Sequence, residues 1–214
     1  MTLEKIKKIF EKNFSNIGER IFYTIKKSEV KNSIYTIPIE NEIKFYGSIV
    51  QIANIKYGNF FEQVIKEFLK ENNFNLLNEN NEYKNIDLLF SLNNDLYIAE
   101  VKVRDNHDST KRIGQISNLL SKSKKIKSKF SSYKIHSLIY FIDETERKNY
   151  SFYINEYDKY KENFNSFNVF YGDELFKHLN IIDNWLNTKK NIKILNDELK
   201  NNKWIMEIIK KYKD

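Results

Sequence analysis

The chain has 214 residues, with no cysteine, a single proline and only 5 glycines. Without cysteine there is no disulfide scaffold, no thiolate metal centre and no cysteine nucleophile. The 3 histidines, His107, His136 and His178, are too few and too scattered for a multi-histidine zinc site. Long apolar runs are missing too. No stretch approaches bilayer-spanning length, and Met1–Ile6 opens an amphipathic helix rather than an apolar leader, so a cytoplasmic protein with no membrane partner is expected. Arginine is scarce beside lysine, with Arg20, Arg104, Arg112 and Arg147 making up the whole complement. This bias reflects an AT-rich coding genome more than a mechanism. What is present is a globular composition, 41% hydrophobic and 15% aromatic, sufficient for a substantial core. The formal net charge of +7 favours a polyanionic partner such as nucleic acid, although a basic surface kept for solubility would give the same sum.

Apolar periodicity gives the order of elements. Residues 3–28 are helical, with Ile6, Ile9, Phe10 and Phe14 at helical spacing. Residues 29–57 are mixed, punctuated by Pro38 and Gly47. After Gly58, Asn59–Lys70 is a helix burying Phe61, Val64, Ile65, Phe68 and Leu69. A short strand near Phe74–Leu77 precedes a hairpin over 85–104, turned at Asn93-Asn94. The loop Asp105–Asp108 offers Asp108 or Ser109 as an N-cap to a helix over about 110–129. That helix buries Ile113, Ile116, Leu119, Leu120, Ile126 and Phe130, while Lys122, Lys124, Lys125, Lys127 and Lys129 form its wet face or attract polyanions non-specifically. A strand over 137–142 closes the unit. Beyond it come a strand at 167–171, a helix near 173–180, and mainly helix over 183–212, where Ile205, Ile208 and Ile209 surround Trp204. One domain spanning 1–214 is expected, with its core at about 58–143, a helical region at 1–57, and a strand and helices at 144–214.

The chemistry lies in the hairpin. A two-residue turn at Asn93-Asn94 sets Leu92 opposite Asp95 and, five pairs on, Asp87 opposite Glu100. Opposed residues share a face with Cβ atoms about 5 Å apart, where two carboxylates repel. Lys102 lies on the same face because side chains alternate along a strand. The other face, with Ile86, Leu88, Phe90, Leu92, Tyr97, Ala99, Val101 and Val103, reads as core. A dry face opposite an acidic pair and a lysine suits a divalent cation bridging Asp87 and Glu100. A solvated cross-strand ion pair would give the same local pattern.

The order helix, three strands, helix, strand, with Ile86-Asp87 on one strand and Glu100-Val101-Lys102 on the next, resembles the PD-(D/E)xK nuclease superfamily. Ile86 stands where the family has its nominal proline, a position without chemistry. The run from Glu100 to Arg112 and the segment Phe170–Phe176 resemble type II restriction endonucleases in particular. The resemblance implies an α/β restriction-endonuclease-like core (αβββαβ, a mixed central sheet flanked by helices) with N- and C-terminal helical additions. It also implies Mg²⁺-dependent, sequence-specific hydrolysis of duplex DNA to 5′-phosphate ends. Asp87, Glu100 and the Val101 carbonyl would bind the metal, with Lys102 orienting the nucleophile and stabilising the developing anion. In this superfamily the first helix often supplies a further acid, which places Glu62 beside the metal; a surface pair with Lys66 is the alternative. For DNA contact, Arg104 shares the face of Glu100 and Lys102. Ser109 and Thr110 sit at a helix N-terminus suited to phosphate, and Lys111, Arg112 and Gln115 follow. A palindromic site would call for a homodimer, and a cognate DNA methyltransferase is expected in the host. A structure-specific nuclease of the junction-resolvase or repair type, or an inactive DNA-binding module, remain alternatives.

Overall fold

The computed structural model describes residues 1–29, 41–77, 81–105, 109–145, 147–161, 166–201 and 203, and for 24–29, 41–45, 81, 109 and 160 the backbone alone. Pro38, His107, Asp108, Trp204, Ile205, Ile208 and Ile209 lie outside the described residues. So does the N-cap expected of Asp108 or the Ser109 side chain.

Asparagine sets the hairpin. Asn93 adopts φ 52°, the left-handed conformation that tight hairpin turns require. β2 (Leu88–Leu92) then pairs antiparallel with β3 (Asp95–Lys102), Leu92 facing Asp95, Ser91 facing Leu96 and Leu88 facing Ala99, as a two-residue turn dictates. β2 starts at Leu88 rather than Ile86. A 3-10 turn at Asn81–Tyr83 precedes it, and the Ile86 N–H donates to the Tyr83 carbonyl at 2.9 Å in the turn that follows. β1 (Asn75–Leu76) joins the outer side of β2 antiparallel. β4 (Lys134–Phe141) pairs parallel with β3, and β5 (Ser166–Tyr171) parallel with β4. The result is a mixed five-stranded sheet in the order β1-β2-β3-β4-β5. A parallel pair needs a crossover, and α4 (Ser109–Lys129) supplies it between β3 and β4. With α3 (Asn41–Glu71) ahead of the sheet, the expected αβββαβ order is present.

Helices cover both faces of the sheet, which corrects the picture of one dry and one wet face. On one side α4 lays Ile116, Leu119 and Ile126 over Leu89, Leu96, Ile98, Ile135 and Ile139. Glu100 and Lys102 alternate onto this same face, so the acidic pair sits at the end of a core rather than on open surface. On the other side Phe74 meets Phe90 edge-on at 5.6 Å, and Phe176 packs on Tyr140 at 5.9 Å and Trp185 at 3.8 Å. α5 (Tyr150–Tyr160), which sequence periodicity does not indicate, buries Tyr153 in the α4-side core. α6 (Glu174–His178) follows β5, and α7 (Ile182–Asn201) follows α6. Ile113, expected in the core, is 56% exposed.

By internal packing the chain falls into two compact units, residues 64–186 and residues 1–63 with 187–214. The first of these holds the sheet. The second is helical, with α1 (Leu3–Phe14), α2 (Ile17–Glu29) and most of α3 and α7. Its core includes Ile6, Ile17 and Ile21, with Phe10 stacked on Phe14 at 4.3 Å and edge-on to Phe60 at 5.7 Å. α3 begins at Asn41, not near 59, and runs through Gly47 and Gly58. Each glycine costs a helix about 1 kcal/mol relative to alanine, which the length of α3 and its burial of Ile49, Ile52 and Phe60 offset. Glu62 is half-buried on α3 within this helical unit.

Candidate active site

The site is built where β2 begins. Asp87, one residue before the strand, turns its carboxylate onto β3, and Oδ2 accepts the Val101 N–H at 2.8 Å. The side chain thus replaces the main-chain acceptor that a longer β2 would supply, and pairing ends at Leu88–Ala99. This holds Asp87 beside the Lys102 ammonium that Glu100 also meets.

Lys102 binds the group together. Its Nζ donates to Glu100 Oε1 at 2.7 Å and to the Val101 carbonyl at 3.0 Å, and lies 3.6 Å from Asp87 Oδ2. Asp87 and Lys102 keep about a quarter of their side-chain surface exposed, at 25% and 27%, so the cluster opens to solvent on their side. Glu100 is more enclosed, at 9%. Burial alone would raise its pKa, but the charges and hydrogen bonds of Lys102 and Lys122 outweigh burial and hold it below the ordinary carboxylate range.

Lys122 is the residue that sequence periodicity misplaces. It lies on the buried side of α4, not on a wet face, and its Nζ donates to Glu100 Oε2 at 2.7 Å with both side chains 9% exposed. The signal was in the spacing, since Lys122 stands three residues after Leu119 and four before Ile126, inside the apolar stripe. Its neighbour Ser123 is also buried and shares a hydrogen bond of 2.8 Å with Ser137 of β4, keying α4 to the sheet at this level.

The other expected site residues divide. Thr110 and Lys111 are exposed on the first turn of α4. Arg104 is 64% exposed, 3.4 Å from Asp143 Oδ2, and lies beyond the end of β3. Arg112 and Gln115 are instead engaged within the protein. Arg112 donates to Asn149 Oδ1 at 2.6 Å and lies over the Phe152 ring, and the buried Gln115 accepts the Tyr153 hydroxyl at 2.6 Å. The cause is α5, which occupies the side of α4 that a helix on its own would leave to solvent. Fully buried Asp105, three residues past β3, accepts from the Asn149 N–H and Nδ2 and from the Tyr171 hydroxyl, tying the chain after β3 to α5 and β5. Among the described residues no three His, Asp or Glu side chains are grouped as a metal cage.

Residues 74–196 match the HinfI family of type II restriction endonucleases. The chain belongs to that family. The HinfI match spans more than half of the chain and contains Asp87, Glu100, Lys102 and Lys122, while Glu62 lies outside it. No curated protein and no solved structure matches the chain. With the mixed sheet and its flanking helices, membership makes the protein a restriction endonuclease of α/β fold, whose substrate class is DNA. No helix among the described residues is long and apolar enough to cross a membrane.

Proposed function

We propose that this HinfI-family protein is a Mg²⁺-dependent endonuclease of the cytoplasm that cuts duplex DNA at a short specific site, leaving 5′-phosphate ends. The observation that carries the proposal is the convergence of Asp87, Glu100 and Lys102 at the open end of a buried sheet face. Two carboxylates and the Val101 carbonyl are hard oxygen donors, which suit Mg²⁺, an ion that binds through one or two carboxylates and keeps several waters. When bound, the ion would acidify a water and polarise the phosphate. Lys102, already within hydrogen-bonding distance of Glu100, orients the attacking water and stabilises the charge that develops on the phosphoryl oxygens. Thr110, Lys111 and Arg104 are exposed and cationic or polar, and hold the DNA backbone. A two-fold homodimer would fit a palindromic site, and a host methyltransferase would protect the same sequence.

The test is cleavage of unmethylated phage DNA with Mg²⁺ or with EDTA, beside Lys102→Ala. Discrete fragments that need Mg²⁺, carry 5′-phosphates and drop by a factor on the order of 10² or more in the variant are expected. Intact duplex at every protein concentration would overturn the proposal and turn attention to branched DNA.

A further inference from the structure

A lysine in the apolar stripe of a helix is costly unless its charge is met, because a buried ammonium loses its hydration. Lys122 occupies such a place between Leu119 and Ile126, and the partner that meets it is the carboxylate of Glu100. Glu100 therefore holds one ammonium on each oxygen, Lys102 on Oε1 and Lys122 on Oε2, both at 2.7 Å. The two lysines are not equivalent. Lys102 also reaches the Val101 carbonyl and Asp87, and opens to solvent at 27% exposure. Lys122 approaches from the closed side, out of α4, at 9%.

A divalent ion on Glu100 needs the lone pairs that these ammonium groups use, and three cationic centres about one carboxylate repel one another. From this competition we infer that Lys122 is a positioning residue of the metal site. It holds the place of the divalent ion on Glu100 while the site is metal-free, and it must yield Oε2 for the ion to bind. Metal affinity in the absence of DNA is then set by α4 as well as by the acidic residues. The inference rests on the metal-dependent function proposed above.

Mn²⁺ titration of the intact protein without DNA, read by the paramagnetic resonance of free Mn²⁺, tests it. Removing the competitor in Lys122→Met should tighten Mn²⁺ binding roughly tenfold, within the usual range of coupling between bound groups. Lys122→Arg, which keeps the charge, should stay near wild type. Equal or weaker binding by folded Lys122→Met would overturn the inference and leave the metal-dependent function standing. Measurable Mn²⁺ binding by neither wild type nor folded Lys122→Met would overturn the metal reading and this inference together. If Lys122→Met does not fold, the wild type answers alone. With lysine side chains labelled with ¹⁵N, the Nζ signal missing from Lys122→Arg should shift on metal addition, and a signal unmoved at saturation rejects the exchange.

Discussion

Gly47 and Gly172 are the same residue type under opposite constraints. Gly47 lies inside α3, exposed, with open space where a Cβ would stand. Gly172 has φ +52°, and a Cβ there would run into the Glu144 side chain. Gly47→Ala should raise stability by about 0.5–1 kcal/mol, the helix-propensity difference. Gly172→Ala should lower it by about 1–2 kcal/mol or more, from left-handed backbone alone. Paired urea denaturation curves measure both, and midpoints moving in the same direction would contradict the assignment. At Lys102 and Lys122 the contrast is one of exposure. Both ammonium groups meet Glu100, but Lys102 keeps about a quarter of its side chain open to solvent and Lys122 is nearly enclosed.

Elements meet at Asp105. Its carboxylate takes donors from Asn149, just ahead of α5, and from Tyr171 at the end of β5, while Arg112 of α4 holds the Asn149 amide. Asp105→Ala leaves these buried donors without their acceptor and should cost about 3–5 kcal/mol, measurable as a lowered urea midpoint. The same region carries tyrosines that must keep their protons. Tyr140, Tyr153 and Tyr171 are at 0% exposure and donate to the Gly172 carbonyl, Gln115 and Asp105. Burial raises all three pKa values, with nearby carboxylate charge adding to it, that of Asp173 and Glu144 at Tyr140 and that of Asp105 at Tyr153 and Tyr171. In the unfolded chain these phenols ionise near pH 10, about their ordinary value. Above that pH the folded state binds more protons than the unfolded one, so stability falls as pH rises, by up to about 4 kcal/mol per pH unit for three protons. Stability measured from pH 9 to 11 should drop more steeply in wild type than in Tyr153→Phe. Identical slopes would show that Tyr153 ionises alike in both states.

For the whole molecule, a net charge of +7 favours encounter with a polyanion such as DNA. If Lys111 and Arg104 hold phosphates as proposed, this chain of net charge +7 should release counterions from DNA on binding. Duplex affinity of the Lys102→Ala protein, measured in EDTA, should therefore fall steeply with salt, by on the order of 10³ between 50 and 200 mM if six phosphates are contacted. Fluorescence anisotropy across that range gives the slope, and Lys111→Ala should reduce it by about one. A flat salt response would remove electrostatics as the basis of binding.

Much of this was local and so legible in the chain itself. The Asn93-Asn94 turn fixes the register of β2 and β3, and alternation brings Glu100 and Lys102 to one face, while Asp87, one residue short of β2, reaches Lys102 through its own carboxylate. These follow from backbone geometry over a few residues. Helix α4 was legible in extent but not in its sides, because the side of a helix that is buried depends on what packs there. α5 turns Arg112 and Gln115 inward, and the sheet draws Lys122 onto Glu100. Only tertiary structure could decide that. A lysine reads as a surface residue until a buried carboxylate, supplied from another element, makes its burial affordable.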